Sequence, residues 1–367
     1  MAIDLEHTAS STQALAIVEP DAATWDTYTQ AHPQGHLLQS SGWGALKAAV
    51  GWRARRVLIT SADGPRAGAQ LLIRQRLGLS AVYVPRGPLL AGDSTANALL
   101  LQTLDRMARQ ARAVFLRLEP NVLESSAGAD ILHSWLLTQG FVPAPPLQPR
   151  TSLHLGLAPT PERLLAGMSK GHRADIKRAQ REGVTVRLGT SAADLDAFYA
   201  IMETTGQRAA FGIHSREYYQ AAWQQFRSTP TGEGARLLLA ERDGATLAAT
   251  LVFAWGGAGL YLYGGSTDAG LRSGANHLLQ WHIIQWARER GCALYDFWGV
   301  PDQFGQASTA ASETERAELE AEARRDPLYG VFRFKKGFGS EVVRFLPAYD
   351  RVYLPPLYHW WMRRFSS

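Results

Sequence analysis

Lysine is rare in this sequence, and its few positions are the first candidates for chemistry. Only five of the 38 lysines and arginines in the 367-residue chain are lysine, at positions 47, 170, 177, 335 and 336. A compact ammonium can approach an oxyanion or a phosphate as a point charge, and burial readily shifts its pKa, whereas a guanidinium does neither well. The lysines are therefore candidates for binding phosphate and for stabilising an oxyanion.

One short segment, residues 170–184, combines two of these lysines with three arginines and a histidine in "KGHRADIKRAQREGV". Its spacing predicts a helix with Ile176 and Ala179 turned toward a core. The cations could hold the phosphates of a polyanion, or they could form an ordinary solvated face in which Asp175 and Glu182 pair with them. The cations concerned are Lys170, Arg173, Lys177, Arg178 and Arg181.

The composition limits the class of protein. Hydrophobic residues make up 46% of the chain, which excludes wholesale disorder, and a net charge of +5 permits an anionic partner. The single cysteine, Cys292, excludes an intramolecular disulfide and a cysteine-rich metal site. The sequence shows neither a signal peptide nor a run of about 20 apolar residues, so we expect a cytoplasmic protein. The C-terminal "LPPLYHWWMRRFSS" could lie on an anionic membrane surface or dock on its own domain.

The two halves of the chain share one order of predicted elements: strand, turn, strand, strand, helix and strand. Asp63-Gly64 and Asp243-Gly244 mark the turns of two hairpins and lie 180 positions apart. Phe115 and Tyr295, in the last strand of each half, are also 180 positions apart. The sequence therefore predicts an α/β (α+β) fold with two copies of one domain, each a mixed sheet flanked by helices.

The boundary between these domains is predicted in "GFVPAPPLQPRTS", where four prolines favour an extended linker. We place the first domain at 1–148, completed by the C-terminal segment 346–367, and the second at 149–345. The Ala/Glu/Arg-rich stretch 306–327 is expected to form an exposed helical insertion.

Several common chemistries have no motif in this sequence. A phosphate-binding GxxxxGK[ST] loop, a GxGxxG fingerprint and HExxH are all missing. The order of elements resembles that of the acyl-CoA N-acyltransferase (GNAT) fold, yet neither half has the Q/RxxGxG/A loop for the CoA pyrophosphate directly before its crossover helix. The nearest stretch, "LRSGANH", has Arg272 and Gly274 too close together. These features favour an acyltransferase fold that uses a different acyl donor.

Four segments resemble the FemABX family of aminoacyl-tRNA-dependent transferases, which build the interpeptide bridges of peptidoglycan. The resemblance covers nearly the whole chain and implies two tandem GNAT-like domains, in a compact type without the long helical arm of some members. It implies no cofactor and no metal, and a monomer that binds aminoacyl-tRNA and either a UDP-MurNAc-peptide or a lipid-linked precursor, with a peripheral membrane contact. The segments are "LLQSSGWGALKAAVGW", "GHRADIKRAQREGV", "LYDFWGV" and "LYGVFRFKKGFGSEVVRFLPAYDRVY".

The resemblance also implies roles for individual residues. Lys335 matches the family lysine that stabilises the oxyanion, with Phe334 shaping the pocket, and Lys47, in a motif with Trp43, matches a lysine that holds precursor phosphates. Glu119 could accept a proton from the attacking amine, although the family often has aspartate there and a structural ion pair is an equal alternative.

Further expected precursor-binding residues are Arg216, Tyr219 and Tyr263, with Arg208 as the alternative arginine. The cations of residues 170–181 would then bind tRNA phosphates. Two other functions stay open: a CoA-dependent N-acyltransferase on the same fold, and a non-catalytic protein that binds tRNA or a cell-wall precursor.

Overall fold

The computed structural model describes residues 14–209, 212–227 and 234–365, which form two seven-stranded sheets flanked by helices. The first sheet contains β1 (Ala16–Val18), β2 (Arg53–Ser61), β3 (Gly64–Arg76), β4 (Leu79–Val84), β5 (Ala113–Leu118), β6 (Val142–Ala144) and β14 (Ala348–Val352). The second contains β7 (Thr151–Gly156), β8 (Thr185–Leu188), β9 (Gly234–Arg242), β10 (Ala245–Trp255), β11 (Ala258–Ser266), β12 (Leu294–Asp296) and β13 (Glu341–Arg344).

The helices lie mostly between the strands of each sheet in chain order. Up to β7 they are α1 (Ala22–Ala31), α2 (Ser41–Ala48), α3 (Ser94–Gln110) and α4 (Ala129–Thr138). After β7 come α5 (Pro161–Gly167), α6 (Lys170–Arg181), α7 (Ala192–Ala209), α8 (Arg216–Phe226), α9 (Asp268–Ser273) and α10 (Ala275–Glu289). The last are α11 (Asp302–Ser308), α12 (Glu313–Ala323), α13 (Tyr329–Lys336) and α14 (Pro355–Phe365). Among the described residues, no helix combines the length and apolarity needed to span a bilayer.

The two sheets repeat one plan, which confirms the predicted tandem GNAT-like fold. In the first, β2, β3 and β4 are antiparallel neighbours and β5 lies parallel to β4 after the crossover helix α3. In the second, β9, β10 and β11 are antiparallel and β12 lies parallel to β11 after α10. Asp243 and Gly244 both take left-handed backbone angles, φ 53° and 77°, as a tight hairpin turn requires.

The end of the chain returns to the first sheet. Strand β14 lies between β5 and β6 and is antiparallel to both. Inside this region Arg117 binds Asp350 through two hydrogen bonds of 2.7 and 2.6 Å, and both side chains are fully buried. Paired in this way, the two charges are compensated where water cannot enter.

The two halves are packed against each other through a shared hydrophobic core. Trp43 of α2 and Leu72 of β3 belong to the same buried cluster as Phe198 of α7, Tyr219 of α8 and Phe253 of β10. Residues 145–150 pass from β6 at the edge of the first sheet to β7 in the second. Pro149, within this junction, lines a cavity whose other lining residues all belong to the second half.

Candidate active site

A cavity of about 740 Å³ opens beside this junction, in the second sheet's half of the molecule. Its walls come from α7, β11, α13 and the turn that follows β12. Five of the residues singled out from the sequence line it: Arg208, Tyr219, Tyr263, Phe334 and Lys335.

Lys335 lies in the last turn of α13 and is only 6% exposed. Its Nζ donates hydrogen bonds to the carbonyl oxygens of Trp298 at 3.2 Å and Gly299 at 2.8 Å. Burial lowers the pKa of Lys335 to about 7, and the negative charge of Asp296 opposes this shift. An ammonium has three N–H donors. Two are held by carbonyls, so the third can donate to an oxygen in the cavity.

The turn that holds Lys335 is itself fixed by Asp296, the last residue of β12. Asp296 accepts hydrogen bonds from the Trp298 N–H at 2.7 Å and from the Ser152 hydroxyl. Burial alone would raise the pKa of Asp296, but His154, with Nε2 3.5 Å from Oδ2, and the hydrogen bonds lower it overall. Asp296 therefore stays negatively charged beside the lysine. Trp298 has a left-handed backbone, φ 64°, which is strained for a bulky residue.

A chain of hydroxyl groups connects the cavity to Lys47. The Tyr263 hydroxyl lies 3.3 Å from that of Tyr218, and Lys47 Nζ donates to the Tyr218 hydroxyl at 3.0 Å. The Lys47 ammonium also lies 5.0 Å from the ring centroid of Trp43. Burial, with a smaller contribution from Arg74, lowers the pKa of Lys47 to about 8. Lys47 and Trp43 thus lie outside the cavity wall but are joined to it through two tyrosines.

Of the two alternative arginines, Arg208 lines the cavity and Arg216 does not. Arg208 forms an ion pair of 3.0 Å with Asp268 at the cavity rim. Arg216 is the first residue of α8, and its guanidinium binds Asp196 and Gln220 instead. The tyrosines that follow Arg216 in the helix face inward, which directs the arginine away from the cavity.

Glu119 also lies outside the cavity, contrary to the expected contact with an attacking amine. It is buried and accepts hydrogen bonds from the Tyr83 hydroxyl and from the backbone N–H groups of Leu147 and Gln148. Burial raises its pKa, and these hydrogen bonds oppose the shift. The segment between the two sheets passes directly over the end of β5, so the carboxylate ties that segment to the first sheet.

The basic segment forms α6, as predicted, with Ile176 and Ala179 buried. Arg173 donates to the carbonyl oxygens of Ala166 and Met168, and Arg178 forms an ion pair of 2.7 Å with Asp175. The cations of this helix that face solvent are Lys170, Lys177 and Arg181.

A contact that the sequence did not reveal joins α6 to the helix that carries Lys335. His172 of α6 places Nε2 2.7 Å from the carbonyl oxygen of Phe334. Its ring also packs edge to face against His277 and Phe338, with centroid distances of 4.5 and 4.7 Å. A side chain at Gly337 would place its Cβ 1.9 Å from the His172 ring, so only glycine fits there. The residues concerned stand in two separate motifs, "GHR" and "FKKG". Nothing in the spacing of these motifs predicts that they are in contact.

Comparison with known proteins gives consistent matches along the chain. Residues 21–134 match the FemAB family, and residues 167–306 match an acetyltransferase (GNAT) domain. A lipid II:glycine glycyltransferase of Staphylococcus saprophyticus subsp. saprophyticus is 25% identical, over 91% of this chain and 92% of that protein. The protein of the same description from Staphylococcus aureus is 24% identical with the same coverage.

Solved structures show the same architecture. A structure described as FemX superposes with a TM-score of 0.79 at 22% identity, covering 94% of this chain and 99% of that one. A tandem GNAT protein from the clavulanic acid biosynthesis pathway gives a TM-score of 0.52 at 13% identity, covering 92% and 98%. At these identities the structures establish the fold, two GNAT-like domains in tandem.

Proposed function

Because the chain belongs to the FemABX family of aminoacyltransferases, we propose that it transfers an amino acid from an aminoacyl-tRNA to a side-chain amine of a peptidoglycan precursor, forming an interpeptide bridge. The observation that carries this proposal is the position of Lys335. Its ammonium is buried in the cavity wall, held by two carbonyls, and has one donor left for a substrate oxygen.

In the proposed reaction the amine attacks the ester carbonyl carbon of the aminoacyl-tRNA. A C–N bond forms, and the carbonyl oxygen becomes an oxyanion to which Lys335 donates a hydrogen bond. The ester C–O bond then breaks, the ribose oxygen leaves with a proton, and the amine nitrogen loses one. A preorganised donor in a cavity sheltered from water stabilises this oxyanion more than water does, because the donor need not reorient.

We assign the acceptor to the lipid-linked class of precursor, because the two staphylococcal relatives are named for lipid II. The phosphate groups would bind near Lys47, and the peptide would extend into the cavity along Tyr263 and Tyr219. The chain would then act at the inner face of the membrane, where such a precursor is anchored.

The solvent-facing side of α6 is our candidate for the tRNA contact. Lys170, Lys177 and Arg181 are exposed there, and contacts with phosphates would give affinity without reading the tRNA sequence. The same helix touches the Lys335 helix through His172, so tRNA on α6 would lie beside the reacting centre.

A CoA-dependent reaction is less well supported. A CoA pyrophosphate would bind at the N-terminus of a helix such as α10, where backbone N–H groups are available. Here α6 packs closely over that position, since a Cβ at Gly274 would lie 2.3 Å from the Asp175 carbonyl oxygen. This close packing leaves little room for a pyrophosphate group.

The test is mass spectrometry of a lipid-linked muropeptide precursor incubated with this protein and a mixture of charged tRNAs. We expect a mass increase of one or more aminoacyl residues on the precursor peptide, and product formation roughly 100- to 1000-fold slower with Lys335→Met. An increase with acetyl-CoA and none with charged tRNAs would instead support the CoA-dependent reaction. No product with any donor would contradict the transferase assignment.

A further inference from the structure

An unusual apolar side chain stands at the tip of the hairpin between β3 and β4. Leu77 is 86% exposed, and its backbone has a left-handed φ of 51°. Arg74 and Arg76 are exposed on the strand beside it. Arg112, also exposed, closes the same tip, because its guanidinium would lie 3.9 Å from a Cβ at Gly78.

The C-terminal helix α14 adjoins this hairpin and has two distinct sides. On the inner side, Tyr358 and Met362 pack with Leu79 against a buried cluster of the first sheet, and the Tyr358 ring lies 5.6 Å from that of Phe115. On the outer side, Leu357 and Trp360 remain 38% and 42% exposed. The helix is therefore docked on its own domain, yet it presents an apolar stripe to solvent.

Three stretches of sequence on this face contain positively charged residues and no acidic ones. Residues 71–82, 106–117 and 351–367 contain no aspartate or glutamate, whereas each contains at least two arginines. Two acidic residues contact this region, and both are already bound: Asp350 to Arg117 and Tyr358, and Asp105 to Arg109, Arg351 and Tyr353. Exposed leucine and tryptophan on elements that also carry exposed arginines match the acyl and headgroup regions of an anionic bilayer.

We propose that Leu77, the outer side of α14 and the arginines around them dock this protein on the surface of an anionic lipid bilayer. The apolar side chains would enter the boundary between headgroups and acyl chains. The arginines would bind lipid phosphates in the headgroup layer.

This surface is continuous with the assigned phosphate site, and here the inference rests on the proposed function. The Arg74 guanidinium carbon lies 5.6 Å from the ring centroid of Trp52, and the positive charge of Arg74 contributes to the lowered pKa of Lys47. Arg74 is three residues from Leu77, which places it about 10 Å from the hairpin tip along a strand. If a precursor phosphate binds near Lys47, the lipid attached to that phosphate would therefore extend along β3 toward the docking surface.

The experiment is co-sedimentation of the full chain with vesicles of phosphatidylglycerol and phosphatidylcholine, compared with vesicles of phosphatidylcholine alone. We expect the wild type to bind the anionic vesicles at least tenfold more strongly. The double variants Leu77→Ser/Trp360→Ser and Arg76→Glu/Arg112→Glu should each bind them at least tenfold more weakly than the wild type does. Thermal unfolding and tRNA affinity are measured on the same samples.

Two matched controls should bind the vesicles as the wild type does. Ile131→Ser removes an apolar side chain that is 75% exposed on α4, a helix packed against the other face of the first sheet. Arg316→Glu/Arg325→Glu makes the same charge change at exposed positions on and just after α12. Equally weakened binding in the controls, or no preference of the wild type for anionic vesicles, would overturn the inference. Reduced tRNA affinity in the docking variants, with vesicle binding intact, would also overturn it.

The docking surface and the proposed function can fail separately. Turnover is measured with a precursor that lacks its lipid. With this substrate we expect the docking variants to have the same turnover as the wild type. Vesicle binding that depends on Leu77 in a protein without transferase activity would support docking and contradict the function. Transferase activity without vesicle binding would support the proposed function and contradict docking.

Discussion

The backbone N–H of Trp298 donates to the carboxylate of Asp296 at 2.7 Å, and the Trp298 carbonyl accepts from Lys335. One buried carboxylate therefore both shapes the turn that holds the ammonium and supplies the charge that keeps its pKa from falling further. The strained backbone of Trp298, with a cost on the order of 1–3 kcal/mol, is maintained by these contacts.

Replacing Lys335 with methionine should abolish most activity without weakening the fold. We expect kcat to fall by roughly two to three orders of magnitude, the scale of removing one oxyanion donor. The pKa of the buried lysine lies below its ordinary value, so the unfolded chain holds the proton more tightly and the charge disfavours folding at neutral pH. The thermal midpoint of the variant should therefore equal or exceed that of the wild type. Normal turnover in a folded variant would disprove the assigned role.

The activity should depend on pH through Lys335. Only the protonated ammonium can stabilise the oxyanion, so kcat should decline as pH rises through the pKa of about 7. In Asp296→Asn the opposing negative charge is gone, the pKa of Lys335 falls, and the decline should begin at lower pH. Ser152→Ala keeps the carboxylate and serves as the control, with a profile like that of the wild type. Identical kcat profiles in Asp296→Asn and the wild type would contradict the coupling.

Changes at Lys47 should affect precursor binding more than the chemical step. A phosphate contact acts equally in the ground state and the transition state, so Lys47→Met should raise KM for the precursor by about tenfold or more and leave kcat similar. Tyr218→Phe removes the hydroxyl between Lys47 and Tyr263 and should raise KM by about fivefold. A collapse of kcat with constant KM in Lys47→Met would place this lysine in the chemistry instead.

The tRNA assignment of α6 is tested by reversing charge. Lys177→Glu/Arg181→Glu should weaken tRNA binding regardless of tRNA sequence. The slope of log affinity against log salt should also become shallower, by about one for each phosphate that the variant no longer binds. Arg316→Glu/Arg325→Glu carries the same charge change and is the control, and affinity for the precursor should be unchanged in both. If α6 is simply a solvated face, the α6 variant and the control will give the same affinities and slopes across the salt series.

The sequence predicted the elements of the fold well because each element is specified locally. The Asp-Gly turns, the alternation of apolar residues and the position of the "FKKG" run all depend on neighbours within one turn or strand. Lys335 stood out because lysine is rare, and the resemblance to the FemABX family implied roles for Lys335 and Tyr263; the structure places both on one cavity.

Glu119 and Arg216 show where local information ends. Both have the charge and the position that a site residue would need, yet each is bound by a segment from elsewhere: the connection at 147–148 and Asp196 of α7. The contact of His172 with the Phe334 carbonyl likewise joins residues 162 positions apart in the sequence. Which polar groups meet across such separations depends on the packing of the two halves, and a spacing pattern carries no information about it.

The return of β14 to the first sheet has a consequence for synthesis on the ribosome. Arg117 emerges 233 residues before its partner Asp350, and until β14 arrives the neighbouring edges of β5 and β6 have no strand between them. An unpaired guanidinium and open strand edges are costly in a closed core and prone to wrong pairing. The N-terminal half therefore cannot complete its native sheet as it is made, and its final folding step must wait until β14 has left the exit tunnel.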